Sequence, residues 1–190
     1  AHEALRRFKA RELSPVELME ATIRRAEALK SSVNALTFTH FDEAMDKARK
    51  AEAKYARGAR TGALEGLPVG IKDESEIKGK PTSSGSLIFR DNVATQTSTM
   101  NARIMAAGGI VHARTATPEF SCAGTTWTRL WGVTRNPWNR DFTPGGSSGG
   151  AGASLASGTS SIATGSDIGG SIRIPASACG VVATSRPTAA

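Results

Sequence analysis

The sequence predicts an α/β fold in which a mixed β-sheet is flanked by helices. Helical periodicity marks three stretches of the first 110 residues, and the apolar runs Leu67-Pro68-Val69-Gly70-Ile71-Lys72 and Ile110-Val111 read as short strands between or after them. Helix alternating with strand implies helices layered on a sheet. The 190 residues favour one domain, and a 39% hydrophobic share with 20 glycines is ordinary for a globular chain.

The elements follow in order. Ser14-Pro15-Val16-Glu17 is a capping box with Pro at the first helical position, and Leu18, Met19, Thr22, Ile23, Ala26 and Leu29 recur behind it at helical spacing. A second helix is expected from near Asp42 through Ala44, Met45, Ala48 and Ala51, stopping at Gly58. Residues 1–60 are thus read as a helical segment and 61–190 as an α/β unit. Within the second unit, Leu67 to Lys72 is a strand that delivers Lys72 to its end. A helix runs from Ser98 to Ala107 and is closed by Gly108-Gly109, and Ile110-Val111 opens the next strand. From Pro144 onward only Asp167, Arg173 and Arg186 are charged, and the rest is Gly, Ser, Ala, Thr and small aliphatics. A flexible linker has that composition. Against a linker, Ser148 to Ser157 can form a helix through Ala151, Ala153, Leu155 and Ala156, and Ser161-Ile162-Ala163-Thr164 reads as a strand. Small residues let backbones approach closely, which suits a buried site built from loops.

Composition excludes several classes. The formal charge of +7 would suit nucleic acid, but Lys and Arg are mixed with acids, as in Arg24-Arg25-Ala26-Glu27 and Asp46-Lys47-Ala48-Arg49, and no basic run carries interleaved aromatics. These are solvated helix faces, and no direct nucleic-acid contact is expected. No window approaches the roughly 20 apolar residues of a membrane span. The first residues lack a secretory apolar core, so a cytoplasmic location is the default. Cys122 and Cys179 make neither a disulfide framework nor a four-ligand zinc site, and both are expected to be small buried side chains.

Three motifs compete for the chemistry. Gly145-Gly146-Ser147-Ser148-Gly149 satisfies the G-x-S-x-G nucleophile elbow, which needs a later acid and then a His. His2, His40 and His112 all precede Ser147, so these residues cannot assemble that triad. Ser75-Glu76-Ile77-Lys78 matches S-x-x-K without its companion motifs and reads as a surface turn. There remains serine chemistry with a lysine as base, which requires a neutral amine and therefore burial. Lys72 has the apolar approach for this, with Asp73 beside it arguing for charge. Lys78 and Lys80 sit among polar residues and are expected to stay protonated.

Gly145-Gly146-Ser147-Ser148-Gly149-Gly150, followed by Gly165-Ser166-Asp167-Ile168-Gly169-Gly170-Ser171-Ile172-Arg173-Ile174-Pro175-Ala176, resembles the amidase signature family of Ser-Ser-Lys amidases. The likeness runs from about Ser14 to Pro187. Its spacings also agree, with 75 positions from Lys72 to Ser147 and 24 from Ser147 to Ser171. The resemblance implies the amidase-signature fold, of which this chain would be the N-terminal portion with the C-terminal half absent. It implies Ser171 as nucleophile, and Ser147, in a cis peptide in the family, as the relay of its proton to Lys72. Backbone N–H groups of Ile168, Gly169, Gly170 and Ser171 would form the oxyanion hole, worth about 3–4 kcal/mol per donor. Backbone near Ser121 would lie along the substrate. Ser148 would support the site, and Asp167 and Arg173 would brace the loop as a partly buried pair. Where the family continues with Gly-Leu-Lys-Pro-Thr or a relative, this chain has Val182-Ala183-Thr184-Ser185-Arg186-Pro187-Thr188.

The function so implied is hydrolysis of a carboxamide through an acyl-enzyme on Ser171, with no metal or organic cofactor. The partner is a small-molecule amide substrate, and a homodimer is an admissible assembly. Two alternatives stand beside it. One is the glutamine-hydrolysing A subunit of a tRNA-dependent amidotransferase, and the other is an inactive fragment or binding module. Thr117-Pro118-Glu119-Phe120 and Ile172-Arg173-Ile174-Pro175 look more like standalone amidases. The amidotransferase protein tends to have Met-Asp-Glu-Phe and Ile-Arg-Gln-Pro at these places.

Overall fold

Ser14 starts the long N-terminal helix as its sequence dictates. Its hydroxyl accepts from Val16 N–H at 2.9 Å, and its own N–H donates to Glu17 Oε2 at 2.8 Å. The structure is a computed structural model that describes residues 1–184. Its helices are α1 (His2–Ala10), α2 (Pro15–Leu29), α3 (Phe41–Ala56), α4 (Thr99–Ala106), α5 (Gly149–Ala156) and α6 (Arg173–Cys179). Its strands are β1 (Leu36–Thr39), β2 (Pro68–Lys72), β3 (Ile110–Thr115), β4 (Trp127–Thr128), β5 (Gly132–Val133) and β6 (Ile162–Ala163).

The main sheet has the order β1-β3-β2-β6. β2 runs parallel to both β3 and β6, while β1 is antiparallel to β3, so the sheet is mixed as expected. β4 and β5 form a separate small hairpin. Every residue of β2 and β3 is buried, the signature of strands covered on both faces. Ile110 packs with Met19, Ala44 and Ala48 of α2 and α3, whereas its neighbour Val111 packs with Val69, Ile71 and Ile104 on the α4 side. Successive strand residues point to opposite faces, so these clusters sandwich the sheet between helices.

α3 presents Ala44, Ala48 and Ala51 to the core, one helical face of small residues that lets α2 and the sheet approach closely. α5 starts closer still. Gly150 N–H donates to Ala116 O at 3.0 Å, and a Cβ there would stand 2.6 Å from the carbonyl oxygens of Ala116 and Ala35. Only glycine fits, which explains part of the Gly-rich composition. Ser148 to Ser157 is thus helix and loop edge rather than a flexible linker.

Three sequence expectations need correction. Residues 1–60 are not helical throughout, because Leu36–Thr39 forms β1 on the edge of the main sheet. Four residues of alternating type, Leu36-Thr37-Phe38-Thr39, are too short a signal to stand out beside two long helices. Cys122 is exposed, since it follows a tight turn at the surface, whereas Cys179 is buried as expected. α6 was not foreseen because Pro175 falls inside it. Proline is tolerated there because the first turn of a helix needs no intrahelical donor. The departure at Ser185-Arg186-Pro187-Thr188 lies outside the described residues.

Candidate active site

Two parallel strands and two loop–helix junctions deliver the site. Lys72 is the last residue of β2. Its N–H donates to Thr164 Oγ1 at 3.0 Å, which ties the strand end to the loop after β6. The loop before α5 carries Ser147, joined to Gly146 by a cis peptide. A Cβ on Gly146 would come 2.7 Å from Ala123 O, so the chain can pass here only as glycine. Ser171 sits in the loop between β6 and α6.

Lys72 and Ser147 are each 1% exposed. Lys72 Nζ stands 2.7 Å from Ser147 Oγ, 2.8 Å from Ser166 Oγ and 3.3 Å from Glu74 Oε1. Burial lowers the lysine pKa below its ordinary value, and the charges of Glu74 and Asp167 oppose that shift without cancelling it. The amine is therefore easier to deprotonate than a surface lysine. Ser171 joins the group through the main chain, with Ser148 N–H donating to Ser171 O at 3.0 Å. No hydrogen bond links the hydroxyls of Ser147 and Ser171 among the described residues. Ser148 also donates its hydroxyl to Ser166 O at 3.4 Å, so one residue ties the two serine-bearing loops together.

Asp167 organises the loop that carries Ser171. Its carboxylate accepts from the N–H groups of Gly170 (2.6 Å), Ile172 (3.1 Å) and Arg173 (3.1 Å), and from Arg173 Nε (3.1 Å) and Nη2 (3.0 Å). The Arg173 guanidinium holds this carboxyl well below the usual range, helped by the three N–H groups against the opposing effect of burial. The Asp167 side chain is buried and that of Arg173 is largely exposed, so the expected partly buried pair is one-sided. The Gly170 N–H is spent on Asp167. Those of Ile168, Gly169 and Ser171 make no hydrogen bond among the described residues.

The sequence reading missed Glu74, Ser166 and Thr164, and misdirected attention to Asp73. Asp73 turns away from Lys72. Its carboxylate accepts from Ser83 N–H at 3.0 Å and from the Ser83 hydroxyl, and Arg114 Nε lies 3.9 Å away. Glu74 turns toward Lys72 and also accepts from the Ser121 hydroxyl. Glu74 lies in the tight turn that follows β2, closed by Ser75 N–H donating to Lys72 O at 3.0 Å, so no strand alternation in the sequence pointed to its contact with Lys72. Burial raises the Glu74 carboxyl, but the hydroxyls of Ser121 and Ser166 and the Lys72 amine outweigh it and leave the pKa lowered.

A cleft of about 640 Å³ opens over Lys72, Glu74, Ser75, Thr164, Gly165 and Ser166, a size suited to a small ligand. Ser147 and Ser171 lie outside its lining. A smaller cavity between α2 and β1 contains no nucleophile beside a base. His112 is buried in β3 with its ring nitrogens facing the carbonyls of Val69 and Thr159, and no hydrogen bond joins it to Ser147 among the described residues. Among the described residues no group of three or more His, Cys, Asp or Glu could hold a metal ion, and no helix is long and apolar enough to cross a membrane.

The amidase family model matches residues 17–188, nearly the whole chain. The chain belongs to the amidase signature family. Its relatives include the indoleacetamide hydrolase of Bradyrhizobium diazoefficiens, 42% identical over 176 residues, which cover 93% of this chain and 33% of that protein. The A subunit of the glutamyl-tRNA(Gln) amidotransferase of Synechococcus sp. strain CC9605 is 41% identical over 171 residues, 90% of this chain and 35% of that one. Among solved structures, a bacterial aryl acylamidase of the amidase signature family aligns with a TM-score of 0.87 at 36% identity, covering 92% of this chain and 36% of that one. A fatty acid amide hydrolase aligns with a TM-score of 0.84 at 32% identity, covering 92% and 31%. The chain thus spans about a third of the length of these amidase signature relatives. The amidase fold found here is their mixed sheet with flanking helices.

Proposed function

We propose that the protein hydrolyses a carboxamide through an acyl-enzyme on Ser171, with Ser147 and Lys72 as its proton relay. The observation that carries this reading is the buried contact of 2.7 Å between Lys72 Nζ and Ser147 Oγ. A buried lysine freed of its proton is a base, and the Ser147 hydroxyl beside it can hand it a proton from a second serine. Ser171 Oγ would attack the amide carbon as its proton passes to Ser147 and the Ser147 proton passes to Lys72. The C–N bond then breaks as the relay returns a proton to the leaving nitrogen, and water releases the acid by the same route. Uncommitted N–H groups of Ile168, Gly169 and Ser171 would receive the oxyanion. Gly170 has no donor to offer while Asp167 holds its N–H.

A panel of simple carboxamides tests the reading, with ammonia or amine release as readout. Turnover that Ser171→Ala abolishes, in a variant that remains folded, is the expected result. Turnover unchanged in that variant would end the proposal. A second reading is supported by the relatives at 38–42% identity that are amidotransferase A subunits, namely release of ammonia from glutamine for a tRNA-bound acceptor. Thr117-Pro118-Glu119-Phe120 and Ile172-Arg173-Ile174-Pro175, which resemble standalone amidases, favour the first. Hydrolysis confined to glutamine within the panel would reverse that preference.

A further inference from the structure

A neutral lysine amine has two N–H donors and one lone pair, and the relay proposed above needs that lone pair to face Ser147. Three oxygens surround Lys72 Nζ, those of Ser147 at 2.7 Å, Ser166 at 2.8 Å and Glu74 at 3.3 Å. The two hydroxyls can donate or accept, but an ionised carboxylate only accepts. The Glu74 carboxylate, in ion-pair contact with the amine, draws N–H toward it and never lone pair. The Ser166 hydroxyl, 2.8 Å away, accepts from the amine and takes the second N–H. The remaining direction, toward Ser147, is the lone pair.

We propose that Glu74 is a positioning residue for Lys72, whose carboxylate, acting with Ser166, turns the lysine lone pair toward the Ser147 hydroxyl. The inference rests on the reading of Lys72 as the base. Glu74 is itself fixed at its far end. Its second oxygen accepts from Ser121 Oγ, which also lies 2.8 Å from Thr117 Oγ1. Ser121 and the preceding Phe120 adopt left-handed backbone, with φ of 56° and 51°, which aims the Ser121 hydroxyl at Glu74 from a turn that non-glycine residues rarely take. The loop with Thr117 and Ser121 is thereby tied to the base through one carboxylate.

The charges around Lys72 make the role measurable. Glu74 faces it from the turn after β2, and Asp167 acts on it from the loop before α6, with Arg173 paired to Asp167. Asp73 is turned to Ser83 and Arg114, and Arg114 of β3 donates to the Lys72 carbonyl at 3.2 Å. Glu76 lines the cleft, and α5 carries no charged side chain. Among the described residues, Glu74 is thus the one carboxylate in contact with the amine. Its charge favours the ammonium form, so removing it moves the lysine titration to lower pH, while the lost orientation slows the reaction at every pH.

The test is the rate of covalent labelling by a fluorophosphonate as a function of pH, resolved into the maximal labelling rate and the half-saturating probe concentration. It is run on wild type, Glu74→Gln, Glu74→Asp and Lys72→Ala, each checked for native circular dichroism. Glu74→Gln is expected to move the acid limb down by about one pH unit and to lower the maximal rate by about tenfold, with half-saturation little changed. Glu74→Asp, which keeps the charge, is expected to return the limb toward wild type. A limb and maximal rate in Glu74→Gln that superimpose on wild type would overturn the proposal. So would a Glu74→Asp variant that behaves like Glu74→Gln. If Lys72→Ala keeps the acid limb, the base assignment itself falls. If Lys72→Ala loses the limb while Glu74→Gln leaves the profile untouched, only the role of Glu74 falls.

Discussion

Lys72 and Ser147, 75 positions apart in the chain, meet with Nζ 2.7 Å from Oγ and with 1% of either residue exposed. The contact depends on β2 ending where the loop before α5 begins its helix. Gly150 permits that closeness on one side and Gly146 on the other.

Lys72→Ala is expected to lower kcat/KM by about 10²- to 10⁴-fold, the usual contribution of a general base. Burial holds the lysine pKa below its ordinary 10.5, against the pull of Glu74 and Asp167. The neutral amine is the active form, so wild-type kcat/KM rises with pH through a limb below that value and is lost as pH falls through it. A pH–rate profile of both proteins checks this. A residual rate in the variant that retains the wild-type limb would move the base role to another group.

Gly150→Ala is expected to destabilise the fold by about 1–3 kcal/mol, as overpacking against rigid backbone does. The added Cβ would stand 2.6 Å from the carbonyl oxygens of Ala116 and Ala35, neither of which can swing aside. Gly124→Ala, at a position with nothing within 4 Å of the added atom, is the control and should stay within about 0.5 kcal/mol of wild type. Urea unfolding of the three proteins decides it. Equal midpoints for Gly150→Ala and wild type would contradict the packing described.

The positions where sequence and structure agree have a common cause. Ser14-Pro15-Val16-Glu17 is a local signal and the chain obeys it; the fully apolar approach to Lys72 is likewise local, and β2 ends where that approach ends. The motifs around Ser147 and Ser171 show as well, because glycines that backbone contacts require leave a visible composition. What was hidden is relational. Glu74 sits among four polar residues, Asp73-Glu74-Ser75-Glu76; Asn101, which meets Ser75, and Ser121, which meets Glu74, lie 26 and 47 positions further on, and only the fold brings them back. The spending of the Gly170 N–H on Asp167 was equally unreadable, since the loop geometry that aims it is not a property of any one residue.

Asp167→Asn tests the loop that carries Ser171. The native carboxyl titrates well below its ordinary 3.8, first because of Arg173 and then because of the N–H groups of Arg173, Gly170 and Ile172. A depressed carboxyl contributes stability that is complete above the unfolded value and is lost as pH falls through the folded one. The urea midpoint of the variant should therefore lie below wild type at pH 7, and the gap should close as the pH drops below about 4. A gap independent of pH would mean that the charge of Asp167 does not brace the loop.

The proposed chemistry turns on which atom is acylated. Fluorophosphonate labelling followed by peptide mapping should place one adduct on Ser171. The adduct should be absent in Ser171→Ala and formed far more slowly in Ser147→Ala and Lys72→Ala. An adduct on Ser147 or on another residue, or labelling of Ser171→Ala at the wild-type rate, would contradict the assignment of Ser171 as the nucleophile.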